Sequence, residues 1–160
     1  MATFTTTRAG GTEAGYHGHT GNDIFTYEID IADLLTNNTT ATSADQFAVV
    51  TVPADSFFEL YLVENATALD LDSGASQQID LGDGTDDDEF VAAATTEAAG
   101  TVHTVTKQTF TGGQVITASD TMYLKLTGDK ITDGTATGTI RFVWKMHDLA
   151  RNAPMTTATL

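Results

Sequence analysis

Near the end of this chain Ile140, Phe142, Trp144 and Met146 alternate with Arg141, Val143, Lys145 and His147, and the same two-residue period returns in shorter runs through most of the sequence. Successive side chains on extended backbone point to opposite sides, so this period marks a strand with one face in a core and the other toward solvent. A chain assembled from such runs has to bury its apolar faces by packing sheet against sheet. Phe25, Tyr27, Ile29 and Ile31 alternate with Thr26, Glu28 and Asp30 in the first clear run. In the next, Phe47, Val49 and Thr51 alternate with Ala48, Val50 and Val52 until Pro53-Ala54-Asp55 closes it. That strand is apolar on both faces, which predicts a central position in its sheet. The run from Phe57 to Glu64 puts Phe58, Leu60 and Leu62 on one face, with Tyr61 and Val63 on the other.

Leu69 with Leu71, and Ile79 with Leu81, give two shorter strands, while Met122, Leu124 and Leu126 alternate with Tyr123 and Lys125. Thr101 to Phe110 and Gln114 to Thr117 are β-prone and are separated by Gly112-Gly113. Asp33 to Ser43 reads as a polar loop. Val91 to Ala99, rich in alanine, is the one stretch that predicts a helix, and Thr95-Thr96 and Gly100 keep it short. Strands of this kind with turn signals about every 8–12 residues predict an all-β fold, an antiparallel β-sandwich of jelly-roll type.

A length of 160 residues suits one domain. Residues 1–22 are rich in Thr and Gly with few large apolar groups and cannot offset their own ordering entropy, so they read as an extended N-terminal arm. The sandwich spans residues 23–149, and residues 150–160 form a short C-terminal tail. No fixed-period repeat argues for a solenoid or propeller.

The charge of −15, from 22 acidic against 7 basic residues, argues against a nucleic acid or an anionic membrane as partner, because affinity for phosphates comes from Lys and Arg. With no cysteine there is no disulfide framework, thiol nucleophile or thiolate metal site. The N-terminus lacks the apolar core of a secretory signal, which predicts a soluble protein made in a cytoplasm, and the sequons at Asn37, Asn38 and Asn65 then read as chance products of a Thr-rich sequence.

Leu81-Gly82-Asp83-Gly84-Thr85-Asp86-Asp87-Asp88-Glu89-Phe90 reads as a tight acidic turn in which Asp and Thr side chains bond backbone amides. Asp83, Asp86 and Asp88 are also candidate ligands for calcium, a hard cation that takes clustered carboxylate oxygens, although the spacing departs from the EF-hand pattern. No other cofactor is implied. His17 and His19, with His103 or His147 as a third ligand, form a weaker transition-metal candidate against a reading of surface histidines. No nucleophile elbow, phosphate loop or dinucleotide fingerprint appears, and Glu59 and Glu64 read as solvated strand positions. Trp144, Phe142, Tyr123, Tyr61 and Phe58 could build a sugar platform, but their strand positions favour core packing.

The succession Val52-Pro53-Ala54, Phe58-Glu59-Leu60-Tyr61-Leu62-Val63, Ile79-Asp80-Leu81-Gly82-Asp83-Gly84-Thr85-Asp86, the run Ser119 to Gly128 and the run Gly138 to Leu149 resembles small virion structural proteins of tailed bacteriophages. It is especially similar to capsid decoration or cement proteins, over about residues 46 to 149. The resemblance implies a non-enzymatic virion component on the outer surface of the capsid, partnered with the major capsid protein and often self-associated as a homotrimer. Within that expectation the arm residues Phe4, Arg8 and Tyr16 are the candidate partner-binding residues. The alternative is a carbohydrate-binding or adhesive module of a head fibre or tail, assisted by calcium at the acidic turn.

Overall fold

The computed structural model describes residues 24–74 and 76–148. The arm, with Phe4, Arg8, Tyr16, His17 and His19, and the tail lie outside the described residues. Eight strands follow in chain order: β1 (Ile24–Asp30), β2 (Gln46–Val52), β3 (Ser56–Asn65), β4 (Gln78–Gly82), β5 (Val91–Ala94), β6 (Val115–Ile116), β7 (Asp120–Thr127) and β8 (Thr139–Asp148). Two helices interrupt them, α1 (Ile31–Thr36) and α2 (Asp129–Thr132). One four-stranded sheet has the order β1-β8-β3-β6 and the other β2-β7-β4-β5.

This order has a simple origin. β1 pairs with β8, β2 with β7, β3 with β6 and β4 with β5, all antiparallel, so the chain is a set of nested hairpins rolled into two layers. Added pairs of β3 with β8 and of β4 with β7 complete the sheets. The result is the jelly roll that the alternation predicted, and a roll of this kind leaves only four edges, on β1, β6, β2 and β5. Inward-facing Phe58, Leu60, Phe142, Trp144, Leu81, Met122 and Leu124 from both sheets fill the space between the layers.

Several local expectations are corrected. β2 is an edge strand, not a central one. Its pairing with β7 shifts register between Ala48 and Val50, so Val49 is an extra residue and consecutive Val49 and Val50 are both buried. β3 carries a like shift between Leu60 and Leu62. Phe58 and Leu60 face the core, but beyond the bulge Val63 and Asn65 are buried, while Leu62 is half-buried and Tyr61 is exposed. The alanine-rich stretch holds no helix: its first half, Val91–Ala94, is strand β5 and the rest is irregular, since β4 presents a free edge and Asp80 Oδ1 accepts from Ala93 N at 2.7 Å, with Ala93 at φ 48°. Tertiary pairing overrides the helical propensity of alanine here.

The polar loop expected over Asp33 to Ser43 begins only after Thr36, because α1 takes its first residues into a short helix. Asp30 caps it by accepting from Asp33 N at 3.1 Å, Ile31, Leu34 and Leu35 are buried, and the Asn37 and Asn38 side chains donate to the carbonyls of Asp33 and Leu34. Leu69 and Leu71 are buried, yet the chain there makes only the bridge Asp70 to Thr137. Between Thr101 and Phe110 a single bridge, Glu64 to Val102, replaces the expected strand. That segment and the residues up to Gln114 run irregularly along β3, with His103 N donating to Val63 O, Leu60 N to Gln108 O and Phe58 N to Gln114 O. It satisfies the outer edge of β3 without offering a new flat edge to other chains.

The loops β1–β2, β3–β4, β5–β6 and β7–β8 meet at one end of the roll. Ser43 N donates to Thr132 Oγ1, Gly128 N to Ser43 Oγ, Ser73 N to Asp129 Oδ1 and Leu69 N to Glu97 O. The bond from Ser73 is the first reason the Asp129 carboxyl is held below its usual range.

Candidate functional site

The acidic turn connects β4 to β5. Asp83 is buried, and its Oδ1 accepts from Thr85 N at 2.6 Å and from Asp86 N at 2.7 Å, while Asp83 N donates to Asp86 O at 2.8 Å. Its carboxylate closes the turn, as the Gly-Asp-Gly spacing suggested. Asp83 therefore stands apart from the carboxylates that do converge, Asp86, Asp87 and Asp88, whose oxygens lie within 4.8 Å of one another. Lys125 on β7 forms an ion pair with Asp87. A hydrogen bond to Asp86, then burial and repulsion from neighbouring carboxylates, hold the Asp88 carboxyl above its usual range. Three carboxylates so close favour uptake of a proton or a cation; Lys125 supplies part of that positive charge.

Glu89, next in sequence, turns the other way into the fold. One oxygen takes bonds from Lys107 Nζ and Thr111 Oγ1, both on the β5–β6 loop, and so clamps the end of that loop to the turn. Beneath it Phe90 and Phe110 stand edge to face with ring centroids 5.0 Å apart, and Phe58 completes the cluster at 5.1 Å from Phe110 and 6.4 Å from Phe90.

At the opposite end of the same loop is a pair that the sequence does not announce. Asn65 is fully buried; its Nδ2 donates to Thr96 O at 2.8 Å and Ala98 O at 3.3 Å, which leaves Oδ1 to accept from His103 Nε2 at 2.7 Å. The orientation fixes the Nε2–H tautomer of a neutral His103. Asn65 is therefore a structural hub and no glycan acceptor in the folded chain. His103 is equally withdrawn from any metal site.

Burial pushes the His103 pKa below the usual histidine value. The unfolded chain then binds a proton that the folded chain refuses, so this residue's contribution to stability is complete above about pH 6.5 and is lost as pH falls through the window below it. Thermal unfolding followed between pH 7.5 and 5.5 is expected to show a falling Tm in the wild type. The slope is expected to be shallower in His103→Gln, which has no group to titrate.

Of the proposed aromatic platform, Trp144, Phe142 and Phe58 are in the core, where Trp144 stacks on Phe25 at 6.2 Å. Tyr61 alone is clearly exposed, and its hydroxyl donates to Glu59 Oε2 at 2.8 Å. Tyr61 belongs to the outer face of the β1-β8-β3-β6 sheet, whose side chains form cross-strand rows. Arg141 sits between Glu28 and Glu64, with Nε 2.7 Å from Glu28 Oε1 and Nη1 3.1 Å from Glu64 Oε2. Thr26, Val143 and Leu62 make the next row, then Ile24, Lys145 and Glu59, then His147, Phe57 and Val115. Lys145 Nζ lies over the Phe57 ring, 5.2 Å from its centre.

No protein-family model and no curated protein matches this sequence. Among solved structures, the chain is similar to one in the "Cyanophage Pam1 capsid asymmetric unit", with a TM-score of 0.51 and 13% identity over 89% of this chain and 98% of that chain. It is also similar to a chain in the "Capsid of Ralstonia phage GP4", with a TM-score of 0.44 and 18% identity over 81% of this chain and 87% of that one. At 13% identity the Pam1 likeness is one of fold, and it extends over nearly the whole of both chains.

Proposed function

We propose that this chain is a non-enzymatic phage virion protein, a decoration or cement protein bound to the outer surface of the assembled head shell. Its partner in this reading is the major capsid protein, and its copies associate with one another, as homotrimers on the resemblance drawn from the sequence. The observation that carries the reading is the whole-length fold likeness to a chain of a phage capsid asymmetric unit, covering 98% of that chain. The polar and charged groups of the described residues support it. Glu89, Asp83 and Asn65 are committed to holding loops, and Arg141, Lys125 and Lys130 are in ion pairs, so these side chains serve a static scaffold.

The mechanism needs no chemistry. A protein that binds the assembled shell and not its separated subunits stabilises the assembly by mass action, by RT ln(1 + [L]/Kd) at each site. The arm, through Phe4, Arg8 and Tyr16, supplies the contact that orders on the shell, because a Thr- and Gly-rich segment gains its burial from a partner. Deletion of residues 1–20 is expected to abolish co-sedimentation with undecorated shells while leaving the Tm of the sandwich within about 2 °C of the parent. Undiminished binding would overturn the role of the arm, and binding of the parent chain to separated subunits as strong as to shells would overturn the cement mechanism.

A further inference from the structure

The four sheet edges are not equally protected. β6 is two residues long, β5 is four with Ala93 at φ 48°, and β2 is bulged at Val49 and followed by Pro53. Short length, irregular backbone, bulges and proline all keep an edge from pairing with another segment. β1 has none of these. Its seven residues, Ile24 to Asp30, pair with β8 in one unbroken register, and no other described strand lies on its far side.

The side chains beside that edge are short of cover, and unevenly so. Of the three that β1 turns inward, Ile29 is buried, whereas Phe25 and Tyr27 are only half-buried. Trp144, opposite Phe25 on β8, stacks on Phe25 and meets Tyr27 edge-on at 6.3 Å. Its indole N–H is buried and has no acceptor among the described residues, although such a group ordinarily has a partner. The exposed aromatic rings and the unpaired indole therefore adjoin the first half of β1, the end at which residues 1–23 join it.

We infer that in the free protein this edge is covered by the chain's own Thr3-Phe4-Thr5-Thr6-Thr7-Arg8, laid along β1 as an added strand. Threonine and phenylalanine suit a pleated, half-buried surface. Phe4 supplies apolar cover, the threonine hydroxyls are acceptors of the kind Trp144 lacks, and Arg8, the only Lys or Arg among residues 1–23, meets an edge that carries Glu28 and Asp30. Residues 9–23 include five glycines and are long enough to turn back along a strand of about 23 Å. A tether of this kind holds its segment near the edge at an effective concentration on the order of millimolar, which a second copy or a shell segment does not match in dilute solution. Ordering the glycines opposes the docking and keeps it weak. The arm thus remains available to a shell, and the melting temperature barely depends on it.

The test needs only the purified full-length chain. Amide exchange followed by NMR is expected to be roughly three- to fivefold slower in residues 3–8 than in a free peptide of the same sequence, and independent of protein concentration. Thr5→Pro combined with Thr6→Pro removes two donors from the added strand. In that variant the β1 amides that face away from β8 are expected to exchange roughly three- to fivefold faster, and the emission of Trp144, the only tryptophan, to shift to the red. Thr12→Pro, in the connecting segment, is the control and is expected to change neither. Residues 3–8 exchanging at the peptide rate, or β1 amides indifferent to the paired prolines, overturn the inference. Protection that rises with concentration, or contacts between labelled and unlabelled copies, overturn it by assigning the edge to a second copy. No shell is present in these measurements, so their failure leaves the shell-binding reading standing, and failure to bind shells leaves the docked arm standing.

Discussion

Truncation of Phe58 to alanine is expected to destabilise the fold by ~3–5 kcal/mol, the cost of emptying a large aromatic site that its neighbours cannot refill. Phe58 is fully buried, and its ring touches Phe90 from the acidic turn and Phe110 from the β5–β6 loop. Those neighbours are anchored by other bonds. Phe90 N donates to Leu81 O and Phe90 O accepts from Thr106 N, both at 2.8 Å, so Phe90 cannot slide into the space. For a chain of this size each kcal/mol lowers Tm by about 2–4 °C, so a fall of roughly 10–15 °C is expected in a thermal melt. A fall of under about 3 °C would mean that the loops collapse freely and that the three rings are not a rigid cluster.

Gly82→Ala is expected to be comparably severe for a different reason. A Cβ on Gly82 would lie 1.9 Å from Asp86 O and 2.5 Å from Asp87 C, and both are backbone atoms that no rotamer change can move. The turn would have to open, which costs it the Asp83 bonds to Thr85 N and Asp86 N and pulls Asp87 from Lys125. A loss of about 3 kcal/mol or more is the expected size, at the upper end of what overpacking costs. Gly84→Ala is the control: its added carbon would meet only the Tyr123 ring, at an ordinary 3.6 Å. Equal Tm values for the two variants in one differential scanning experiment would contradict the close packing of the acidic turn on its own glycine.

Strand alternation made the fold class legible, since β8 and β7 are regular enough for period two to hold along their length. Where a bulge intervenes, the pattern misleads. One extra residue at Val49 and another at Tyr61 exchange the faces of everything beyond them, and a bulge is set by the partner strand and not by its own sequence. The nesting of the pairs was not legible either, because β1 finds β8 across more than a hundred intervening residues. β5 shows the same limit, as alanine prefers helix until β4 and Asp80 give its backbone somewhere better to bond.

The acidic turn could be read because glycine and aspartate act there on their immediate neighbours. By contrast, Asn65 and His103 are 38 residues apart, and no local signal joins them. α1 did leave a trace, in Asp30 followed by Ile31, Leu34 and Leu35 at helical spacing, but a helix of six residues is too short for periodicity to stand out. The balanced outer face of β1, β8 and β3 became visible only when the registers placed Glu28, Arg141 and Glu64 in one row.

The central claim is that the chain is a repeated component of an assembled shell. Its most direct test is the copy number of this chain per purified virion, measured by quantitative mass spectrometry against the major capsid protein. A number comparable to that of the shell protein is the result expected of a decoration or cement protein. A handful of copies, or none, would contradict it.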